Sequence, residues 1–225
     1  MKVSVIENVL KLNDEIAAMN RKVLKQAGIF VLDLIGAPGC GKTALCEATI
    51  QKLQPAVRVA VIVGDLATQR DADRMARWCE QVVQINTGKG CHLEANHVHE
   101  ALGRLDLSRI DVLFIENVGN LICPVGFDLG QDVKVGMFSV SEGDDKPAKH
   151  PYLVKEASVI LLTKTDLLPH VPFNSEVFHA DIRRLNDTAP VISISVTQNK
   201  GMDAWLAWLG QMRSTYTGAQ GVACT

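Results

Sequence analysis

Three sets of residues in this sequence have types and spacings that can do chemistry. The first, Gly36-Ala37-Pro38-Gly39-Cys40-Gly41-Lys42-Thr43, matches G-x-x-x-x-G-K-[ST] in full. Its glycines let backbone N–H groups turn toward phosphate oxygens, and the helix that such a loop opens adds the partial positive charge of its N-terminus. Lys42 then reaches the β and γ phosphates, and the Thr43 hydroxyl is a ligand for Mg²⁺. Cys40 is only a small residue at a free position. The second set is acidic. Asp65 and Glu116 each close a β-rich run, and in an open parallel sheet the carboxyl ends of the strands line the ligand crevice. A carboxylate there holds a magnesium-bound water or orients an attacking one; the competing reading for either is a surface ion pair. Asp71 is a weaker candidate for positioning water. Gly119 belongs to the segment after Glu116 that should respond to the γ-phosphate.

The third set is Cys91-His92, after the third β-rich run, and Cys123, seven residues beyond Glu116. Two thiols and an imidazole then come from strand ends of one sheet, and soft thiolate with imidazole suits Zn²⁺ or Ni²⁺. The bland alternative makes Cys91 a helix-entry residue and Cys123 buried filler. No pair among the cysteines at 40, 46, 79, 91, 123 and 224 has CxxC spacing. In a reducing compartment they are free thiols or ligands, not staples.

Thr163-Lys164-Thr165-Asp166 closes a fifth β-rich run and resembles the N/T-K-x-D element of GTPases. The Asp166 carboxylate accepts from the N1 and N2 donors of guanine, a pairing that adenine's edge does not offer. The Lys164 stem lies along the base, and a backbone amide within Ser195-Val196-Thr197, Ser195 and Val196 foremost, meets guanine O6.

These residues need a scaffold that brings strand ends together. Short β-rich runs at Phe30–Ile35, Arg58–Val63, Val82–Asn86, Asp111–Glu116, Ser158–Thr163 and Val191–Ser195 alternate with helical stretches at Lys42–Leu53, Asp71–Glu80, Leu93–Leu105, Ser175–Asn186 and Met202–Met212. Strands buried on both faces and alternating with helices predict an α/β fold of the P-loop NTPase kind, a mostly parallel sheet with helices on both faces. Residues 1–225 are expected to form a single domain. Within residues 1–26, Val5, Val9, Leu12, Ile16, Met19 and Val23 form an apolar helical stripe, which either packs on its own domain or makes a dimer contact. Residues 117–157 break the alternation as a glycine-punctuated functional insertion, with Val133–Val140 as an extra strand. Residues 214–225 read as a flexible tail. At 47% apolar, 21% charged and net charge −2, the chain has no basic patch for nucleic acid and no run long enough to span a membrane. Charged residues from Glu7 to Glu15 interrupt any signal peptide, so a cytoplasmic address is expected.

Taken together, the motifs closely resemble the HypB family of GTPases, which help insert nickel into [NiFe]-hydrogenases and are related to the urease accessory GTPase UreG. The resemblance covers nearly the whole chain: Asn13-Asp14 with Asn20-Arg21, the phosphate loop, Gly64-Asp65-Leu66-Ala67-Thr68, Cys91-His92-Leu93-Glu94-Ala95, Glu116-Asn117-Val118-Gly119-Asn120-Leu121 with Cys123-Pro124, Phe127–Gly130, Glu142–Pro147 and Asp166-Leu167-Leu168-Pro169. It implies slow GTP hydrolysis, a GTP-dependent homodimer with Cys91, His92 and Cys123 as a metal site at its interface, and work alongside the nickel chaperone HypA on a hydrogenase large-subunit precursor. Two departures stand out. The chain has neither the N-terminal CxxCGC motif nor the histidine-rich run of some members, so nickel storage there is not expected. Thr163 stands where asparagine is usual, with a shorter reach toward the phosphate loop. Rival readings are weaker. A small-molecule kinase needs an arginine-bearing lid, and 117–157 contains no arginine. A metal-binding protein with a vestigial nucleotide site does not explain intact Lys42, Thr43, Asp65 and Glu116. A urease-type nickel accessory GTPase fits less well, because no proline separates Cys91 from His92.

Overall fold

Short runs of β-branched and aliphatic residues that are apolar at consecutive positions suit strands covered on both faces, and that sets the architecture here. A computed structural model of the chain describes residues 4–65, 70–88 and 90–218. Seven strands, β1 (Phe30–Gly36), β2 (Val59–Asp65), β3 (Gln81–Asn86), β4 (Val112–Glu116), β5 (Val133–Ser139), β6 (Val159–Thr163) and β7 (Val191–Ser193), form one sheet in the order β3-β2-β4-β1-β5-β6-β7. Every pairing is parallel. On one face, Leu32 and Leu34 of β1 pack with Leu45 and Ile50 of α2 (Lys42–Leu53) and with Trp205 and Leu209 of α8 (Met202–Thr217). On the other, Val31 packs with Leu24 of α1 (Ser4–Gln26) and Val98 of α4 (Ala95–Leu102), and Ile35 packs with Leu153 of α6 (Pro151–Glu156), which follows the short α5 (Lys146–Lys149), and with Phe178 of α7 (Ser175–Leu185). The expected α/β class, with helices on both faces, is the one found. Among the described residues no helix is long and apolar enough to cross a membrane.

The structure departs from the sequence expectations at four elements. Residues 117–157, expected as an insertion, contain β5 close to the extra strand expected over Val133–Val140, and it lies between β1 and β6 inside the sheet; Val133, Val135 and Met137 are covered. The helix expected over 71–80 is shorter, α3 (Arg70–Met75), because buried Cys79 donates its thiol to the Val59 carbonyl and draws the chain back to the sheet edge. The tail expected from Ser214 is still helical to Thr217. Ser214, Thr215 and Thr217 bond back to carbonyls four residues earlier, and Tyr216 lies 5.6 Å from the Phe30 ring. Residues 219–225 lie outside the described residues.

The fourth departure is α1. Its buried face is Asn13, Ala17, Asn20 and Leu24, while Leu12 and Met19 are 58% and 54% exposed. The two rows are offset by one residue, about 100° around a helix. The apolar stripe over Leu12, Met19 and Val23 therefore does not pack on this domain. The Val5 and Val9 side chains lie outside the described residues.

Candidate functional site

Parallel strands in register deliver their carboxyl ends to one edge, and the candidate residues gather there. Leu34 pairs with Glu116, Gly36 with Met137 and Ser139 with Thr163. Gly36 leads into the phosphate loop, in which Gly39 and Gly41 adopt φ of 76° and 103°, left-handed values that a side chain would oppose. α2 starts at Lys42. The Lys42 side chain is buried and curls over its own loop, its ammonium donating to the Gly36 and Ala37 carbonyls at 3.2 and 3.3 Å. Two neutral acceptors are thin compensation for a buried charge, and an anionic oxygen in the loop would be a better partner. The Thr43 hydroxyl donates to Glu116 Oε1 at 2.7 Å. A hydroxyl has one hydrogen and two lone pairs, so this bond turns a lone pair outward as a free ligand for a cation. The donor set fits Mg²⁺ beside a phosphate.

These groups line a cleft of about 390 Å³ together with Pro38, Asp65, Arg74 and Gly119. A Cβ on Gly119 would lie 2.8 Å from the Pro38 ring, so only glycine lets this segment lie against the loop. Arg74 escaped the sequence reading. It projects from α3, forms an ion pair with Glu47 of α2, and its only signal was a cation one helix beyond Asp65. Leu66–Gln69 and the Asp71 side chain lie outside the described residues.

On the other side of the loop, the Thr163 hydroxyl donates to the Cys40 carbonyl at 2.6 Å, with the Phe138 carbonyl at 3.2 Å. The shorter residue thus reaches the loop directly. Lys164 takes a left-handed φ of 56°, and Asp166 Oδ1 accepts from the Ser195 hydroxyl at 2.7 Å. That bond holds the Asp166 carboxyl below the usual aspartate range, keeping it an acceptor. The Ser195 amide is already engaged, donating to Lys200 O at 3.0 Å. Ser195 therefore faces this side through its hydroxyl, and the amides of Val196 and Thr197 remain the candidates for guanine O6.

Ligand atoms of Cys91, His92 and Cys123 lie within 4.8 Å of one another. Cys91 is exposed and the other two are half-buried. Cys91 Sγ is 3.5 Å from His92 Nδ1. Burial lowers the His92 pKa, against the opposing pull of Glu94, so near neutral pH the imidazole carries a lone pair. Phe127, which the sequence offered only as part of the resemblance, lies against that ring with centroids 3.9 Å apart and the planes tilted by 31°. Hydrogen bonding to Cys123 raises the Cys91 thiol above its usual value, with burial adding to it. Two close thiols and a neutral imidazole, with His92 Nε2 buried and lacking a hydrogen-bond partner, suit a soft or borderline divalent ion.

A fully parallel sheet whose central strand feeds a phosphate loop, with a carboxylate of the next strand on the loop threonine, defines a P-loop nucleotide-binding domain. The nucleotide-binding domain model of the CobW/HypB/UreG group matches residues 30–193. The hydrogenase maturation factor HypB of Azotobacter vinelandii is 48% identical over 209 residues, which cover 93% of this chain and 69% of that protein. Among solved structures, HypB from Archaeoglobus fulgidus matches with a TM-score of 0.85 at 37% identity, over 91% of this chain and 100% of that one. HypB from Helicobacter pylori, solved in complex with nickel, matches with 0.86 at 33% identity, over 90% and 95%. The chain belongs to the HypB family of hydrogenase maturation factors.

Proposed function

We propose that this chain hydrolyses GTP to GDP and phosphate, and that the hydrolysis cycle controls capture and release of Ni²⁺, or Zn²⁺ in its place, during maturation of a [NiFe]-hydrogenase. The observation that carries the reading is the shared segment of the two sites: Glu116 bonds Thr43 at the nucleotide cleft, and the same short stretch runs on to Cys123 at the metal trio. In the proposed cycle the protein works in the cytoplasm as a homodimer in its GTP state. Its partners are a nickel chaperone of the HypA kind and the hydrogenase large-subunit precursor.

Each residue's part follows from its chemistry. Lys42 exchanges the Gly36 and Ala37 carbonyls for phosphate oxygens. Thr43, fixed by Glu116, and Asp65 across the cleft are the groups that would hold Mg²⁺, which when bound offsets charge on the terminal phosphates. Asp65 or Asp71 orients the attacking water. Asp166, held ionised by Ser195, reads the guanine donor edge. The metal is cargo: Cys91, His92 and Cys123 supply three donors, one fewer than a closed tetrahedral site takes. That leaves an open position for transfer.

Phosphate release from GTP and ATP tests the nucleotide half. Lys42→Ala should abolish turnover while leaving the fold intact. Asp166→Asn should weaken GTP at least about tenfold and improve xanthosine triphosphate, whose donor pattern is altered. Equal competition by ATP in the native protein would defeat the base-reading assignment. For the metal half, thiolate ligation displaces protons, and the raised Cys91 pKa extends the effect to higher pH. Metal affinity should climb steadily from pH 6 to 8 in the native protein and much less steeply in Cys91→Ala.

A further inference from the structure

Two asparagines lie between the sites, Asn117 on the wall of the nucleotide cleft and Asn120 three residues on. We propose that Asn117 and Asn120 are positioning residues that join the phosphate loop to both metal-bearing loops, so that a change in the loop alters the spacing of Cys91 and Cys123. The inference rests on reading Cys91, His92 and Cys123 as a metal site under nucleotide control.

Asn117 directly follows Glu116 and is 1% exposed. Its Oδ1 accepts from the amides of Leu93 and Val118 at 3.1 and 3.0 Å, and its Nδ2 donates to Asp33 Oδ1 at 3.0 Å. Leu93 is the residue after His92, so one amide side chain pins the end of the Cys-His loop to the residue beside the magnesium-site carboxylate. Asn120 makes the second link. Its backbone amide donates to the Gly36 carbonyl at 3.0 Å, at the start of the phosphate loop. Its Oδ1 accepts from Ile122 N at 2.8 Å and Cys123 N at 3.4 Å, and its Nδ2 donates to Cys91 O at 3.4 Å. Between the two asparagines, Gly119 is pressed on Pro38 with no space for a side chain.

Folding alone accounts for part of this. The Leu93 amide is buried and needs an acceptor. It does not account for the reach of Asn120 to Cys91, an exposed residue whose carbonyl water could satisfy. A carboxamide is the side chain that can accept from the Cys123 loop and donate to the Cys91 loop together. Aspartate keeps the first bond and sets an acceptor against the Cys91 carbonyl; alanine makes neither.

The test is Ni²⁺ affinity, measured by competition with a chelating indicator at saturating GDP and at a saturating non-hydrolysable GTP analogue, so that nucleotide affinity drops out. Wild type should show a ratio between the two states of about tenfold or more, within the usual span of site-to-site coupling. In Asn120→Ala and Asn120→Asp the ratio should fall toward one with Ni²⁺ still bound. Asn117→Ser, checked by thermal melting to be folded, should reduce it as well. A wild-type ratio retained in the Asn120 variants, including the case where affinity drops equally in both states, overturns the role of the asparagines and leaves nucleotide control standing. A ratio of one in wild type overturns nucleotide control and this inference with it.

Discussion

Thr163 shows how much one hydroxyl can carry. Its bond to the Cys40 carbonyl links the strand that leads to the candidate base-reading residues to the phosphate loop, so the two sides of the candidate site are held at a set distance. Thr163→Val keeps the shape and strands that carbonyl, at a cost of about 1 kcal/mol. GDP affinity, read by a fluorescent analogue, should weaken about fivefold, and an unchanged affinity would mean that the bond does not shape the site. Asp33 gives a sharper test. It is fully buried on β1, its pKa raised to about 7 by burial against the opposing hydrogen bond from Asn117, and its Oδ2 has no hydrogen-bond partner. The folded chain therefore holds this proton more tightly than the unfolded one. The stability it contributes is full below pH 3.8 and is lost as pH rises through about 7. Asp33→Asn keeps an acceptor for Asn117 and removes the titration. Its urea-derived stability should fall less than that of wild type between pH 4 and 8, by up to about 4 kcal/mol. Parallel pH profiles would show that Asp33 is ionised in the fold at no cost. The phosphate loop and Asp166 were legible in the sequence because their chemistry is contiguous. Asn117 and Phe127 stood in segments that carry the resemblance, but their contacts to Leu93 and His92, and that of Arg74 to Glu47, were not legible, because each joins partners far apart in the chain.

Among the elements, α1 shows where periodicity misleads. Counting apolar residues picks out the stripe through Leu12, Ile16, Met19 and Val23, but the docking is done by amides. Asn13 donates to Asp128 O and accepts from Ala95 N; Asn20 donates to Ala95 O and Leu129 O and meets His99 Nδ1 at 2.9 Å. Hydrophobicity scales count such residues as surface, whereas here they bond the loop carbonyls of Asp128 and Leu129 and both backbone groups of Ala95 at the start of α4. Asn20→Ala should therefore cost about 2–4 kcal/mol in chemical denaturation, since it leaves three polar partners behind. The double change Leu12→Glu with Met19→Glu should shift stability by no more than about 0.5 kcal/mol. A large loss from the double change, or none from Asn20→Ala, would reverse the assignment of faces. The extra strand expected over Val133–Val140 is β5, but Lys134 and Gly136 interrupt its apolar run, which hides that its neighbours on both sides bury it inside the sheet.

For the molecule as a whole, the question is how the proposed metal site, half-open as it stands, and the nucleotide cleft at the same sheet edge are used together. Three protein donors leave a tetrahedral ion one ligand short, and Cys91 faces outward. Two copies meeting about a two-fold axis at this edge would present matching donor sets to each other, completing the coordination or sharing ligands between two ions. Such a contact would also bring the Glu116–Asn120 segments close to the interface, so that the γ-phosphate and the metal would favour the same assembly. Linkage then requires each to strengthen the other. Sedimentation at fixed protein concentration should show mostly monomer with GDP alone, more dimer with either the GTP analogue or Ni²⁺, and the most with both. Cys123→Ala should lose the contribution of Ni²⁺ and keep that of the nucleotide. Leu12→Glu with Met19→Glu separates the interfaces: if dimers form at the metal edge, their yield should match wild type, and if they form through the apolar row of α1, it should collapse even with both ligands present.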